Sequence, residues 1–219
     1  MRRRALWRAL LVSVAIFGTA GAARAQSTDP YAATYCEPDP QTKLLYTNRT
    51  YVILPKAPDT PALYFSYKIL ETGKVVQRRG QFLFDDGDDR WKLESNLDAL
   101  RLFWPLRPDK KLELDRADRA TGALARDTFV VLGLEPIEVD HVTYKSWKIR
   151  RLDTVEGSKS FVQFLWYAPQ LCTLTAFTDS EQRTVRLLRI LKPGDPAYDR
   201  ELVRKKDHLY FADTGEIVK

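Results

Sequence analysis

Phe161-Val162-Gln163-Phe164-Leu165-Trp166-Tyr167, then the turn residues Ala168-Pro169-Gln170, then Leu171-Cys172-Thr173-Leu174-Thr175-Ala176-Phe177-Thr178, is the stretch that decides the fold class. In the first run Val162, Phe164 and Trp166 fall on one side, which is the two-residue period of a β-strand. Both runs are rich in the aromatic and β-branched residues that suit a pleated surface. Pro169 cannot donate a ladder hydrogen bond and stops the first strand, while Trp166 and Tyr167 anchor opposite faces. Asp179-Ser180-Glu181 turns the chain into a third run, residues 183–191. Upstream, residues 139–152 form another run, separated from the quoted stretch by Glu156-Gly157-Ser158. Consecutive strands at such short spacing predict an antiparallel meander.

The same period extends toward the N-terminus. Tyr51-Val52-Ile53-Leu54 is a short apolar run ended by Pro55. Leu63, Phe65, Tyr67 and Ile69 alternate with Tyr64, Ser66 and Lys68, as a half-buried strand does. After Gly73, residues 74–84 place Phe82 and Phe84 on one face. Asp85-Asp86-Gly87-Asp88-Asp89 then reads as a hairpin tip kept soluble by charge, leading into residues 90–94. Residues 96–103 fit a strand or a helical turn, and Pro105 ends either. Residues 111–125 have helical composition but alternate at Leu112 and Leu114. Residues 195–206 are expected as a short helix, and residues 211–219 as a last strand or a frayed end.

The N-terminus carries a different signal. Met1-Arg2-Arg3-Arg4, an apolar run from Ala9 to Phe17 and the small residues up to Ala23-Arg24-Ala25 have the layout of a secretory signal peptide cut after Ala25. The apolar run is shorter than the roughly 20 residues of a membrane-spanning helix. The expected division is a leader at 1–25, an N-terminal arm at 26–42, one β domain at 43–192 and a C-terminal extension at 193–219. The expected location is the periplasm or the medium.

Cleavage also changes the charge. The whole chain has 35 Lys+Arg against 29 Asp+Glu, and five of the arginines lie in the leader. The mature chain is therefore close to neutral. This removes the basic excess on which a nucleic-acid reading would rest. In an exported protein the two cysteines, Cys36 and Cys172, are expected to form a disulfide. In the chain-entropy account such a long loop is worth roughly 4–5 kcal/mol.

Catalytic patterns are sparse. There is no glycine-rich phosphate loop, no G-x-S-x-G, no H-E-x-x-H and no paired-cysteine zinc pattern. His141 and His208 lack metal-ligand spacing, so neither a metal nor another cofactor is expected. His141 serves as a general base only if the fold brings it a nucleophile. The 85–89 run does not follow the calcium-loop pattern. Asn48-Arg49-Thr50 fits a glycosylation sequon, which carries little weight in a bacterial-type exported chain.

Residues 139–149, followed by Phe164-Leu165-Trp166-Tyr167-Ala168-Pro169-Gln170-Leu171, resemble a pattern in uncharacterised secreted bacterial β-rich proteins of the DUF3108 type. More distantly they are similar to the open-barrel periplasmic lipoprotein carriers. The resemblance covers the C-terminal third, and Cys172 stands where the pattern usually has glycine. It implies a curved antiparallel sheet and no defined activity.

The sequence thus predicts an all-β fold, a curved antiparallel sheet or open half-barrel with minor helical segments. Its aromatic residues either fill the core or line a slot. On the second reading Phe65, Tyr67, Trp91, Trp104, Trp147 and Trp166 are the candidate lining. The protein is then a non-catalytic envelope protein that binds a lipid or other apolar small molecule. A structural module that meets another envelope protein is the alternative, and a hydrolase is a third.

Overall fold

The computed structural model describes residues 35–61, 63–85, 90–95, 97–205 and 208–218. The expected leader, residues 26–34 of the arm and residues 86–89 of the acidic run lie outside them.

Alternation of inward and outward side chains builds the sheet. In β7 (Lys111–Asp118) every second residue is buried, so Leu112, Leu114, Arg116 and Asp118 face inward. The facing strand β8 (Leu124–Val139) buries Ala125, Asp127, Phe129 and Val131 in step. The other strands are β1 (Lys43–Tyr46), β2 (Thr50–Ile53), β3 (Tyr64–Ile69), β4 (Val75–Arg79), β5 (Phe84–Asp85), β6 (Trp91–Leu93), β9 (Val142–Val155), β10 (Phe161–Ala168), β11 (Thr173–Thr178) and β12 (Thr184–Leu191). These twelve make one antiparallel sheet in the order β5-β4-β3-β2-β1-β12-β11-β10-β9-β8-β7-β6. The chain is all-β, and the sheet curls into a nearly closed barrel.

That order has a simple origin. Strands β6 to β12 form a meander, strands β1 to β5 form another, and β1 joins them by pairing with β12, Lys43 opposite Leu191. The acidic run was expected to join two paired strands. Instead β5 pairs with β4, β6 pairs with β7, and the two are the opposite edges of the sheet. Phe84 and Trp91 pack together with Ala125 across that seam, so side chains close it without a ladder.

Further expectations change on folding. Residues 111–125 are strand, a tight turn and strand. The segment expected as a helix from Asp195 runs through turns into β13 (Leu202–Lys205), which pairs with β14 (His208–Phe211). This hairpin covers the outer face of the β1–β12 junction, where Leu45 and Leu191 pack with Leu209, Phe211 and Val218. Residues Leu97–Leu102 form α1, a short helix. Leu100, Phe103, Trp104 and Leu106 enter the main core with Phe129, Ile149 and Tyr167. The barrel is therefore plugged along β7–β10. Cys36 and Cys172 are joined by a disulfide with Cα atoms 5.3 Å apart. Cys172 has φ of 50°. This is left-handed backbone, which favours glycine and which an L side chain seldom adopts. Among the described residues no helix is long and apolar enough to cross a membrane.

Candidate ligand pocket

Where the plug ends, the interior opens. On the inward side of β1–β3 lie Leu44, Tyr46, Tyr51, Ile53, Phe65 and Tyr67, and Leu174 and Phe177 of β11 face them. Together they bound a recess of about 290 Å³, near the lower end of ligand-site volumes. The rings form a chain of edge and tilted contacts. Tyr46 and Tyr51 have centroids 5.4 Å apart, Tyr51 and Tyr67 4.7 Å, and Tyr46 and Phe177 5.7 Å.

Polar groups punctuate this wall. The Tyr46 hydroxyl donates to the Leu174 carbonyl at 2.6 Å. Arg78 Nε donates to the Tyr67 hydroxyl at 3.2 Å, and Arg78 Nη2 lies 3.2 Å from Asp85 Oδ2. Burial works against the Arg78 charge, but Tyr67 and Asp85 outweigh it and hold its pKa above the ordinary value. Burial pushes the Tyr46 and Tyr51 phenols well above the usual tyrosine range. At Tyr51 the neighbouring Tyr67 adds to that shift, while Arg49 and Arg78 oppose it. These phenols are neutral hydrogen-bonding groups at physiological pH. Asn48, Arg49, Gln81, Arg151, Gln163, Thr173 and Asp179 complete the rim.

Deeper toward the seam, charge is buried in matched pairs. Arg116 is 5 % exposed and Asp127 1 %. Arg116 lies 3.3 Å from Asp127 and also binds Asp153. Arg151 Nε donates to Asp127 at 2.8 Å. The Arg116 guanidinium sits 4.1 Å from the centre of the Trp91 ring, a cation–π contact.

A second recess, about 580 Å³, lies at the other end of β1 and β11. Leu44, Val139, Tyr144, Leu171 and Ile190 give it an apolar floor, and Glu37, Asp39, Asp140 and Asp195 an acidic rim. Leu44 lines both recesses.

The six sequence-derived lining candidates do not form one cluster. Phe65 and Tyr67 line the first recess. Trp91 lies under Arg116 at the seam. Trp104 and Trp147 are packed within the plugged core. Trp166 is set apart from them: Leu165 and Tyr167 on either side of it point into the core, so Trp166 points out. There its indole N–H donates to Glu135 at 2.7 Å, and Lys148 lies 5.3 Å from its ring. Placing it on the concave face is corrected by the alternation of its own strand. Sequence reasoning missed Tyr46, Tyr51, Phe177 and the recess arginines Arg49, Arg78 and Arg151. The alternation of Leu44 with Tyr46 and of Tyr51 with Ile53 is the signal that marks the first two.

His141 sits at the β8–β9 turn with its side chain 74 % exposed, 3.8 Å from Glu138, and lines neither recess. Among the described residues no group of three or more His, Cys, Asp or Glu is placed to hold a metal ion.

No family model matches this chain, and no curated protein does. Among solved structures, the hypothetical lipoprotein YmcC from Escherichia coli is similar at 13 % identity, over 72 % of this chain and 88 % of that one, with a TM-score of 0.44. A putative exported protein with a YmcC-like fold from Bacteroides fragilis is similar at 12 % identity, over 73 % and 100 %, with a TM-score of 0.39. Neither likeness is to DUF3108 proteins specifically, and neither carries an activity to this chain.

Proposed function

We propose that this chain is an exported, non-catalytic envelope protein that holds a lipid or other apolar small molecule in the recess lined by Tyr46, Tyr51, Phe65, Tyr67 and Phe177. One observation carries the reading. The barrel is filled by its own side chains along β7–β10 and left open along β1–β3 and β11, where the wall is aromatic. Aromatic walls with a few polar groups at the rim are the composition of small-molecule sites. The leader-like N-terminus and the disulfide support export.

Native mass spectrometry of the protein purified from a periplasmic extract without detergent is the test. A co-purifying lipid-sized mass, lost in Phe177→Trp, is the expected result. A clean apo mass, together with no uptake of a fluorescent apolar probe, overturns the reading.

One observation favours a second reading, that of a protein-interaction module. Val162 is 36 % exposed on the outer face of β10, beside half-buried Phe164 and Trp166. In that case Trp166→Ala removes a partner captured by cross-linking and leaves probe uptake unchanged.

A further inference from the structure

We propose that the ligand of the aromatic recess is an amphiphile with an anionic head, the head held at Arg49 and the tail laid over Tyr46, Tyr51, Phe65 and Phe177. This rests on the apolar-ligand reading and narrows it to one charge class.

The rim is the starting point. Among the described residues three guanidinium groups line the recess, those of Arg49, Arg78 and Arg151, against one carboxylate, Asp179. Asp179 is already neutralised, because Arg183 binds it through Nε at 2.9 Å and its Oδ1 accepts the Glu181 and Arg183 backbone N–H groups. Arg78 is matched by Asp85, and Arg151 by Asp127. Arg49 differs from both. It is exposed beside the β1–β2 turn, and among the described residues it forms no ion pair. Its backbone is fixed, since the Arg49 carbonyl accepts the Tyr46 N–H at 2.9 Å. The side chain therefore starts from a fixed point beside the Tyr46–Tyr51 wall, and among the described residues no carboxylate pairs with it. Asn48, Gln81, Gln163 and Thr173 add neutral polar groups to the lining.

The second recess sharpens the contrast. Its carboxylates are engaged: Asp39 with Lys192 at 2.8 Å, Glu37 with the Tyr35 hydroxyl at 2.7 Å, Asp140 with Arg189 at 3.5 Å, and Asp195 with the Ala197 N–H at 2.7 Å. It offers an anion an acidic rim in which Glu37, Asp39 and Asp140 are paired with cations and Asp195 is held by a backbone N–H. An anionic head is favoured at one end of β1 and disfavoured at the other, so the amphiphile enters tail-first past Arg49 and stops with its head there. Exposed charges act chiefly through encounter rate and salt dependence. The preference is accordingly expected to be modest and salt-sensitive.

Isothermal titration calorimetry of the mature, oxidised protein with decanoate and decyltrimethylammonium below their micelle concentrations, and decanol below its solubility limit, reads this directly. The head charge is the principal variable across the three. Decanoate is expected to bind about fivefold more tightly than decanol, with decyltrimethylammonium weakest, and the gap should close as salt is raised. Arg49→Gln should erase the preference while leaving decanol affinity as it was. Lys192→Gln, at the other recess, should change neither. Equal binding of decanoate and decanol, or a preference that survives Arg49→Gln, overturns the head-group assignment and leaves the apolar-ligand reading standing. Failure of all three to bind removes both.

Discussion

At the scale of single residues, the buried ion cluster is the feature with the largest expected consequence. Arg116 and Asp127 are almost wholly buried on facing strands, and Arg151 and Asp153 complete the set. The Arg116 and Asp127 charges are removed from water, and their partners compensate that cost. Removing one member leaves the rest short of one counter-charge. Arg116→Leu leaves Asp127 and Asp153 to share Arg151 alone and also takes the cation off the Trp91 ring. We expect a loss of about 3–5 kcal/mol, read as a lower midpoint in urea unfolding with an unchanged slope. Asp118 obeys the same logic nearer the surface. A hydrogen bond from Arg90 and the Thr121 and Ala120 N–H groups hold its carboxyl well below the usual range. A depressed carboxylate stabilises the fold above its unfolded pKa of about 4, and that contribution fades as pH falls toward the folded value. Asp118→Asn should flatten the acid limb of the thermal-midpoint profile. An unaltered acid limb would assign acid sensitivity to other carboxylates.

At the scale of elements, the disulfide ties the N-terminal arm to the turn before β11, across a sequence separation of 136 residues. The chain-entropy account gives about 5 kcal/mol for such a loop. Tyr35 and Cys36 also pack against the core, and Gln81 donates to the Cys36 carbonyl. Cys36→Ala with Cys172→Ala should therefore lower unfolding stability by several kcal/mol and expose the arm to proteolysis near Tyr35. Equal stability of the oxidised and cysteine-free forms would mean that the arm is held by packing alone. The elements also differ in how far the sequence announces them. β10 and β11 are legible because their aromatic and β-branched residues repeat at period two and Pro169 punctuates them. β7 is masked because Arg116 and Asp118 occupy inward positions, so its buried stripe carries two charges and its composition reads as helical. The edges β5 and β6 misled for another reason. Local turn chemistry joins neighbours, whereas their ladder partners lie on opposite sides of the seam. The recess was half legible. Phe65 and Tyr67 belong to a clear alternation, but Phe177 and Arg151 reach the same space from strands whose register with β3 no local pattern specifies.

At the scale of the whole molecule, closure depends on the one junction that sequence proximity does not favour. Within β7–β12 each strand pairs with its neighbour in the chain, and so it is within β1–β5; only β1 with β12 joins the two sets. Contacts between near neighbours cost little loop entropy and form early, and the closing pair comes after them. Ile149, fully buried between β8 and β10, belongs to the early set, and Leu45, buried against Leu191 and Phe211, to the late one. Each truncation to alanine is expected to cost about 2–5 kcal/mol, but the cost should divide differently between the rates. Ile149→Ala should chiefly slow refolding, and Leu45→Ala should chiefly speed unfolding. Loss of the disulfide, which shortens the path between β1 and β12, should behave like Leu45→Ala and appear mainly in the unfolding limb. Stopped-flow chevrons of the three variants decide the point. If Leu45→Ala and the cysteine-free form slow refolding as strongly as Ile149→Ala does, the β1–β12 junction is already made at the rate-limiting step, and the barrel closes before its meanders are complete.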